Sequence, residues 1–140
     1  MVSKSPNKQR KSAAKAPLHQ RRKRIRARCL DPNYASVRSV TIRVGDEVEV
    51  RRGDFGHPNS LKGEKGKRHG EARGKSGARA RVAGVDTTSG RIYVEGITHS
   101  KADGKEEGIP IHPSNVAVVK IDDSDPIRLK DLQSRNGGDE

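Results

Sequence analysis

Residues 42–55, IRVGDEVEVRRGDF, constrain this chain more than any other stretch. Gly45-Asp46 is a turn signal, after which Val48 and Val50 alternate with Glu47, Glu49 and Arg51. That period of two belongs to a half-buried strand, and Gly53-Asp54 closes it with a second turn. The run reads as the first strand of a small β-barrel, entered from a basic tail and left through a basic loop. What surrounds it limits the size of the core. Apolar residues make up 29% of the 140, aromatics 2%, and there is no tryptophan. Such a chain can close one barrel of roughly 60–80 residues, a size that is marginal alone.

The pattern resumes at Ala78. ARARVAGVD carries Val82 and Val85, TTSG is a turn at 87–90, and RIYVEGI turns Ile92 and Val94 to one side. Together they form a hairpin. HSKADGKEE at 99–107 is a polar loop with Asp103-Gly104 at its tip. Short strands follow at 109–111 and 116–121, separated by His112-Pro113-Ser114-Asn115. This makes a mainly β domain of five short strands joined by Gly/Asp turns. Domain organisation follows: residues 1–40 form a basic arm with a short helix, 41–121 the barrel, and 122–140 a flexible acidic tail. The tail holds six acids against three bases, and Gly137-Gly138 suggest fraying. It is either a solvated end, or a contact to a basic neighbour or a shield against wrong RNA.

Charge points to the partner. A formal net charge of +12 and a pI near 10.3 call for a polyanion, nucleic acid first and an anionic membrane surface second. Residues 1–28 hold eleven Lys/Arg and no acid. Residues 3–17 are polar and read as disordered in isolation. The run 18–30, LHQRRKRIRARCL, reads as a helix with Leu18, Ile25, Cys29 and Leu30 near one side, ended by Asp31-Pro32-Asn33. RRKR within it also resembles a localisation signal. Residues 34–39 read as a connection. The segment 56–77 has six glycines among 22 residues with many Lys/Arg, and reads as a long inserted loop that orders on an anionic ligand. Candidate RNA-binding residues are Lys8, Arg10, Lys11, Lys15, His19, Arg21, Arg22, Lys23, Arg24, Arg26 and Arg38 in the arm. Lys62, Lys65, Lys67, Arg68, Arg73 and Lys75 join them from the loop, and Arg79 and Arg81 from the strand after it. Tyr34, Phe55 and Tyr93 are the only aromatics, and Tyr93 reads as half-buried in the core. Phe55 fits the core or an RNA contact. Without a stacking platform, recognition rests on phosphate charge and backbone shape, which favours folded RNA.

Chemistry finds little footing. GEARGKS at 70–76 approaches a phosphate-binding loop, but His69 stands where its first glycine belongs. The histidines lack metal-ligand spacing, and Cys29 alone excludes an internal disulfide and a multi-cysteine zinc site. Its neighbours Arg26 and Arg28 favour the thiolate, yet a small apolar residue on a basic helix is the simpler reading. No Ser/His/Asp set or paired carboxylates stand in an interpretable context. No run has the ~18 apolar residues of a membrane span, and no hydrophobic stretch follows the basic N-terminus. The expectation is a non-enzyme with no cofactor, no metal, no small-molecule substrate, no membrane partner and no homo-oligomer.

GDEVEVRRGDFG at 45–56, RIYVEGI at 91–97, KADG at 101–104 and IPIHPSNVAVVKI at 109–121 together resemble a known family. It is the KOW-containing large-subunit ribosomal proteins, number twenty-four of the universal set. KQRKSAAKAPLHQRRK at 8–23 and VRSVTIRVGD at 37–46 are similar to the arm of its archaeal and eukaryotic branch. The resemblance implies an SH3-like barrel, a structural role in the large subunit of cytoplasmic ribosomes, and binding to large-subunit ribosomal RNA beside neighbouring ribosomal proteins. It also implies a place near the peptide exit tunnel and a part in early assembly. It marks Arg51, Arg52 and Gly53 as RNA-facing. Unlike the family, this chain has about twenty extra residues between Phe55 and Val82. The KOW pattern also occurs in transcription elongation factors, the alternative reading, which would carry a further domain for polymerase contact.

Overall fold

The computed structural model describes residues 2–53 and 79–137; the 56–77 insertion and Phe55 lie outside the described residues. The arm contributes helices α1 (Pro6–Lys15) and α2 (Leu18–Arg24). The strands are β1 (Arg26–Cys29), β2 (Ser39–Thr41), β3 (Glu47–Val50), β4 (Arg79–Asp86), β5 (Arg91–Val94), β6 (Thr98–Ser100), β7 (Glu106–Gly108) and β8 (Val116–Lys120). Helix α3 (Pro126–Asn136) closes the described chain. Six strands form one sheet in the order β2-β1-β8-β3-β4-β5, and β6 and β7 form a separate ribbon. The free edge of β5 pairs with Ile111, whose N–H and carbonyl both bond Ile92. Ile111 leads through a 3-10 turn (Pro113–Asn115) into β8, so the chain itself links the two ends of the β8-β3-β4-β5 run. The result is a barrel-like domain.

The core is aliphatic. Ile25, Val40, Val48, Val50, Val82, Ile92 and Val118 are its most enclosed members, and β-branched side chains suit a pleated surface. The alternation in 47–50 appears as expected, with both valines buried and both glutamates half-exposed. Val82 and Val85, three apart, both pack inward because the register shifts between Val82 and Gly84, leaving Ala83 bulged. Tyr93 is half-buried, but on the outer face, where its ring lies between Gly84 and Gly108. The β4–β5 turn at 87–90 is as read from the sequence.

Expectations differ at several places, two of them after β5: the loop read at 99–107 carries the β6–β7 ribbon, and 109–111 gives the Ile111 bridge in place of a strand. The strand at 47–50 is third, not first, because the expected helix over 18–30 stops at Arg24. Residues 26–29 instead alternate exposed and buried, pairing antiparallel with β2 and parallel with β8. Buried Ala27 and Cys29 join the core this way, which a helix ringed by arginines could not arrange. Residues 6–15, read as disordered in isolation, form an exposed helix with Pro6 at its start. The acidic tail holds α3, capped by Asp125, whose carboxylate accepts from the Ile127 N–H at 3.0 Å.

Helix α3 packs through Arg128, Leu132 and Asn136, spaced one turn apart. Leu132 enters the core, and the Asn136 side chain bonds Ser36 and Asn33. Arg128 reaches the fully buried Asp46 with both terminal nitrogens at 2.6 Å and gives a further bond to the Thr41 carbonyl at 2.9 Å. Asp46 also accepts from the Arg43 and Asp122 N–H groups at 3.0 and 2.9 Å. Beside it Gly45 sits at φ +97°, where a Cβ would come 2.9 Å from the Asp122 carboxylate.

This network can be tested by substitution. Arg128→Met strands a buried carboxylate and should cost about 3–5 kcal/mol in urea unfolding, and Asp46→Ala a similar amount. The double variant should cost clearly less than their sum, and simple additivity would contradict the pairing. Gly45→Ala should lower stability by more than the roughly 1–2 kcal/mol of a left-handed backbone alone. Gly90→Ala, at φ +70° in open space, isolates that backbone cost and should be the milder change in the same melts.

Candidate nucleic-acid interface

Because Pro17 ends α1's path, α2 folds back on it: Arg21 and Arg24 donate to the carbonyls of Ala14 and Ala13. Lys8, Lys11 and Lys15 lie at three- and four-residue spacing, so they share one face of α1. All three are exposed, as are Arg10, His19, Arg22, Lys23 and Arg24, while Arg21 is half-buried. Arg21 and Arg24 line a shallow cleft with Ala13, Ala14 and the 87–90 turn. Arg22 and Lys23 line another with Ile25, Ile42 and Val44. Among the described residues, the Lys and Arg of the arm, 2–28, make no ion pair with a carboxylate.

On the barrel the basic residues divide. Arg79 and Arg81 stand opposite Glu49 and Glu47 across the β3–β4 pair, and Arg51 forms an ion pair with Glu49 at 3.5 Å. Their charge is partly met within the sheet. Arg52 and Gly53 lead out of β3 where the Arg51 and Arg52 N–H groups bond the Asn115 carbonyl at 2.8 and 3.1 Å. Gly53 has a local reason to be glycine: φ is +82°, and a Cβ would lie 2.9 Å from the Asn115 side chain. Arg26 and Arg38 are exposed at the β1–β2 edge, some way along the sheet order from β4. Lys62, Lys65, Lys67, Arg68, Arg73 and Lys75 lie outside the described residues. Thus the structure groups the arm residues, sets Arg26 and Arg38 at the sheet edge, and places Arg51, Arg79 and Arg81 among acids.

Two residues absent from the sequence-derived set belong with Arg26 and Arg38. Arg28 is exposed on β1 directly opposite Ser39, and Arg135 of α3 donates to the Ser39 carbonyl at 3.0 Å. A helical reading of 18–30 hides the outward pair Arg26 and Arg28. The acid count of the tail hides Arg135, although the Asp-Pro start at 125–126 is a readable helix signal.

Among the described residues nothing resembles a catalytic centre. Cys29 is buried, and its burial pushes the thiol above its ordinary pKa, away from reactivity. Among the described residues no group of three or more His, Cys, Asp or Glu is placed to hold a metal. No helix among them is long and apolar enough to cross a membrane.

Compared with known families, residues 3–135 match the one described as the eukaryotic L26 and archaeal L24 ribosomal proteins. The chain is 36% identical over 135 residues to the large ribosomal subunit protein uL24 of Saccharolobus solfataricus. That alignment covers 95% of this chain and 97% of the relative. An arm, sheet and closing helix aligned nearly end to end leave one conclusion: the chain belongs to this eukaryotic L26 and archaeal L24 family of ribosomal proteins, structural constituents of the ribosome rather than enzymes.

Proposed function

We propose that this protein is a structural constituent of the large subunit of cytoplasmic ribosomes and binds its ribosomal RNA by electrostatic clamping. It sits near the peptide exit tunnel beside neighbouring ribosomal proteins and joins early in assembly. The observation that carries this reading is the arm. From 2 to 28 it offers only basic charge, nearly all of it exposed and none of it in an ion pair with a carboxylate among the described residues. Each Lys or Arg that meets a phosphate releases condensed counterions, so affinity comes from charge and falls with salt. The barrel supplies direction. Its ring of β3, β4, β5, the Ile111 bridge and β8, turned by a 3-10 corner, is the basis for reading it as an SH3-like KOW barrel. Strands β3 and β4 are paired neighbours, so the segment between Gly53 and Arg79 leaves and re-enters at adjacent positions.

In cell extract sedimented at moderate salt, the protein should appear stoichiometrically in large-subunit and whole-ribosome peaks. Confinement to light fractions would overturn the reading and favour the elongation-factor alternative. With deproteinised large-subunit RNA, changing Lys8, Lys11 and Lys15 together to Gln should flatten the slope of log affinity against log salt by about 2–3. The melting curve should not move, since surface charges of this kind add little stability. Deleting 56–77 should likewise leave a folded circular-dichroism signal and weaken RNA binding. Loss of that signal would mean the segment belongs to the fold.

A further inference from the structure

We infer that α3 completes a second phosphate-binding site, at the β1–β2 edge, formed by Arg26, Arg28 and Arg135 around Ser39. The inference rests on the RNA-binding reading and extends it to a surface separate from α1.

Two guanidinium groups converge there on one oxygen. Arg26 donates to the Ser39 carbonyl at 3.3 Å and to its hydroxyl at 2.8 Å, and Arg135 donates to the same carbonyl at 3.0 Å. Both are bonded through one terminal nitrogen, which leaves the remaining N–H groups of each fork available. Arg28 faces Ser39 across the β1–β2 ladder, at the spacing of directly opposed side chains. Arg38 precedes Ser39 and is exposed. None of these four arginines has a carboxylate partner among the described residues, and Asp131, one turn before Arg135, makes no ion pair with it. Like charges held together without a counter-charge raise the local potential, and planar forks match phosphate oxygens better than any other side chain. The neighbouring β3–β4 surface shows the contrast, since its arginines stand opposite Glu47 and Glu49.

The site is assembled from distant parts of the chain. Arg135 is brought to Ser39 by the docking of α3, which Arg128, Leu132 and Asn136 fix. The ligand class is the RNA backbone: an extended polyanion can meet this cluster and the arm together, which a single small anion cannot.

The test uses the full-length protein and deproteinised large-subunit RNA, with binding measured from about 50 to 200 mM salt. Arg28→Gln and Arg135→Gln should each flatten the slope by about 0.7–0.9, and Arg135→Lys should retain most of it. Arg28 makes no hydrogen bond through its side chain among the described residues, so its variant tests charge with no loss of internal structure. An unchanged slope in Arg28→Gln and Arg135→Gln, beside a flattened slope in the α1 triple variant, would overturn this site and leave the RNA-binding reading standing. Absence of salt-dependent binding by the unaltered protein would sink both. A slope that falls equally in Arg135→Gln and Arg135→Lys would assign Arg135 a purely structural part and overturn its role here.

Discussion

The buried pair between Arg128 and Asp46 is the contact on which the rest of this small fold depends. Asp46 follows the Gly45 turn into β3, and its two oxygens take both Arg128 nitrogens and the N–H groups of Arg43 and Asp122. One carboxylate thus fixes the β2–β3 turn, the exit of β8 and the helix beyond it. Two charges out of water are costly unless every lone pair and proton is met, and here no buried side-chain polar atom of the described residues lacks a partner. Replacing such a pair by apolar groups is often tolerated in other folds. In this one the same atoms also hold main-chain N–H groups, so an apolar substitute would leave those unsatisfied. Asp31 repeats the device nearby, accepting from the Asn33 and Ile121 N–H groups while 4% exposed.

Several acids serve the fold, and most of the bases, Arg128 apart, are left to the surface. Asp86 accepts from Ser89 and Thr88, and these bonds hold its carboxyl below the usual range. The Ser124 hydroxyl does the same for Asp122, and the Arg43 guanidinium for Asp125. Each is occupied in capping a turn or helix. Among the described residues none of the ion pairs reaches the arm or the Ser39 cluster. The net charge of +12 therefore understates how positive those two surfaces are.

The β elements are legible in the sequence where local pattern and tertiary partner agree. Val48/Val50, Ile92/Val94 and the Gly-Asp and Thr-Thr-Ser-Gly turns carry their own signal, and all but the last of these lie in stretches that carry the family resemblance. Residues 26–29 are not legible in this way, because Arg-Ala-Arg-Cys fits either period. Pairing with Ser39–Thr41 and with the distant Ala117 and Val118 decides the matter, and such a partner cannot be seen in a short window. The tail is obscure for a different reason. Charge counting treats Arg128 as one base among acids, whereas its partner lies 82 residues away. The arm residues of the candidate site are legible from charge alone. Arg28 and Arg135 are not, because their grouping exists only once β1 and α3 are in place.

The same architecture shapes how the protein would meet RNA. A core of valine and isoleucine with no tryptophan buries modest area, and +12 of charge works against compaction. Both costs fall when a polyanion binds, since phosphate neutralises the surfaces that repel and stabilises only the state that presents them. The Ser39 cluster makes that linkage specific. Arg135 reaches it through the docking of α3, and Arg128 ties that helix to Asp46 in its turn. RNA bound there would stabilise the docked helix and, through Arg128, the turn that starts β3. Folding of the last element and grip on the backbone are then two readings of one equilibrium.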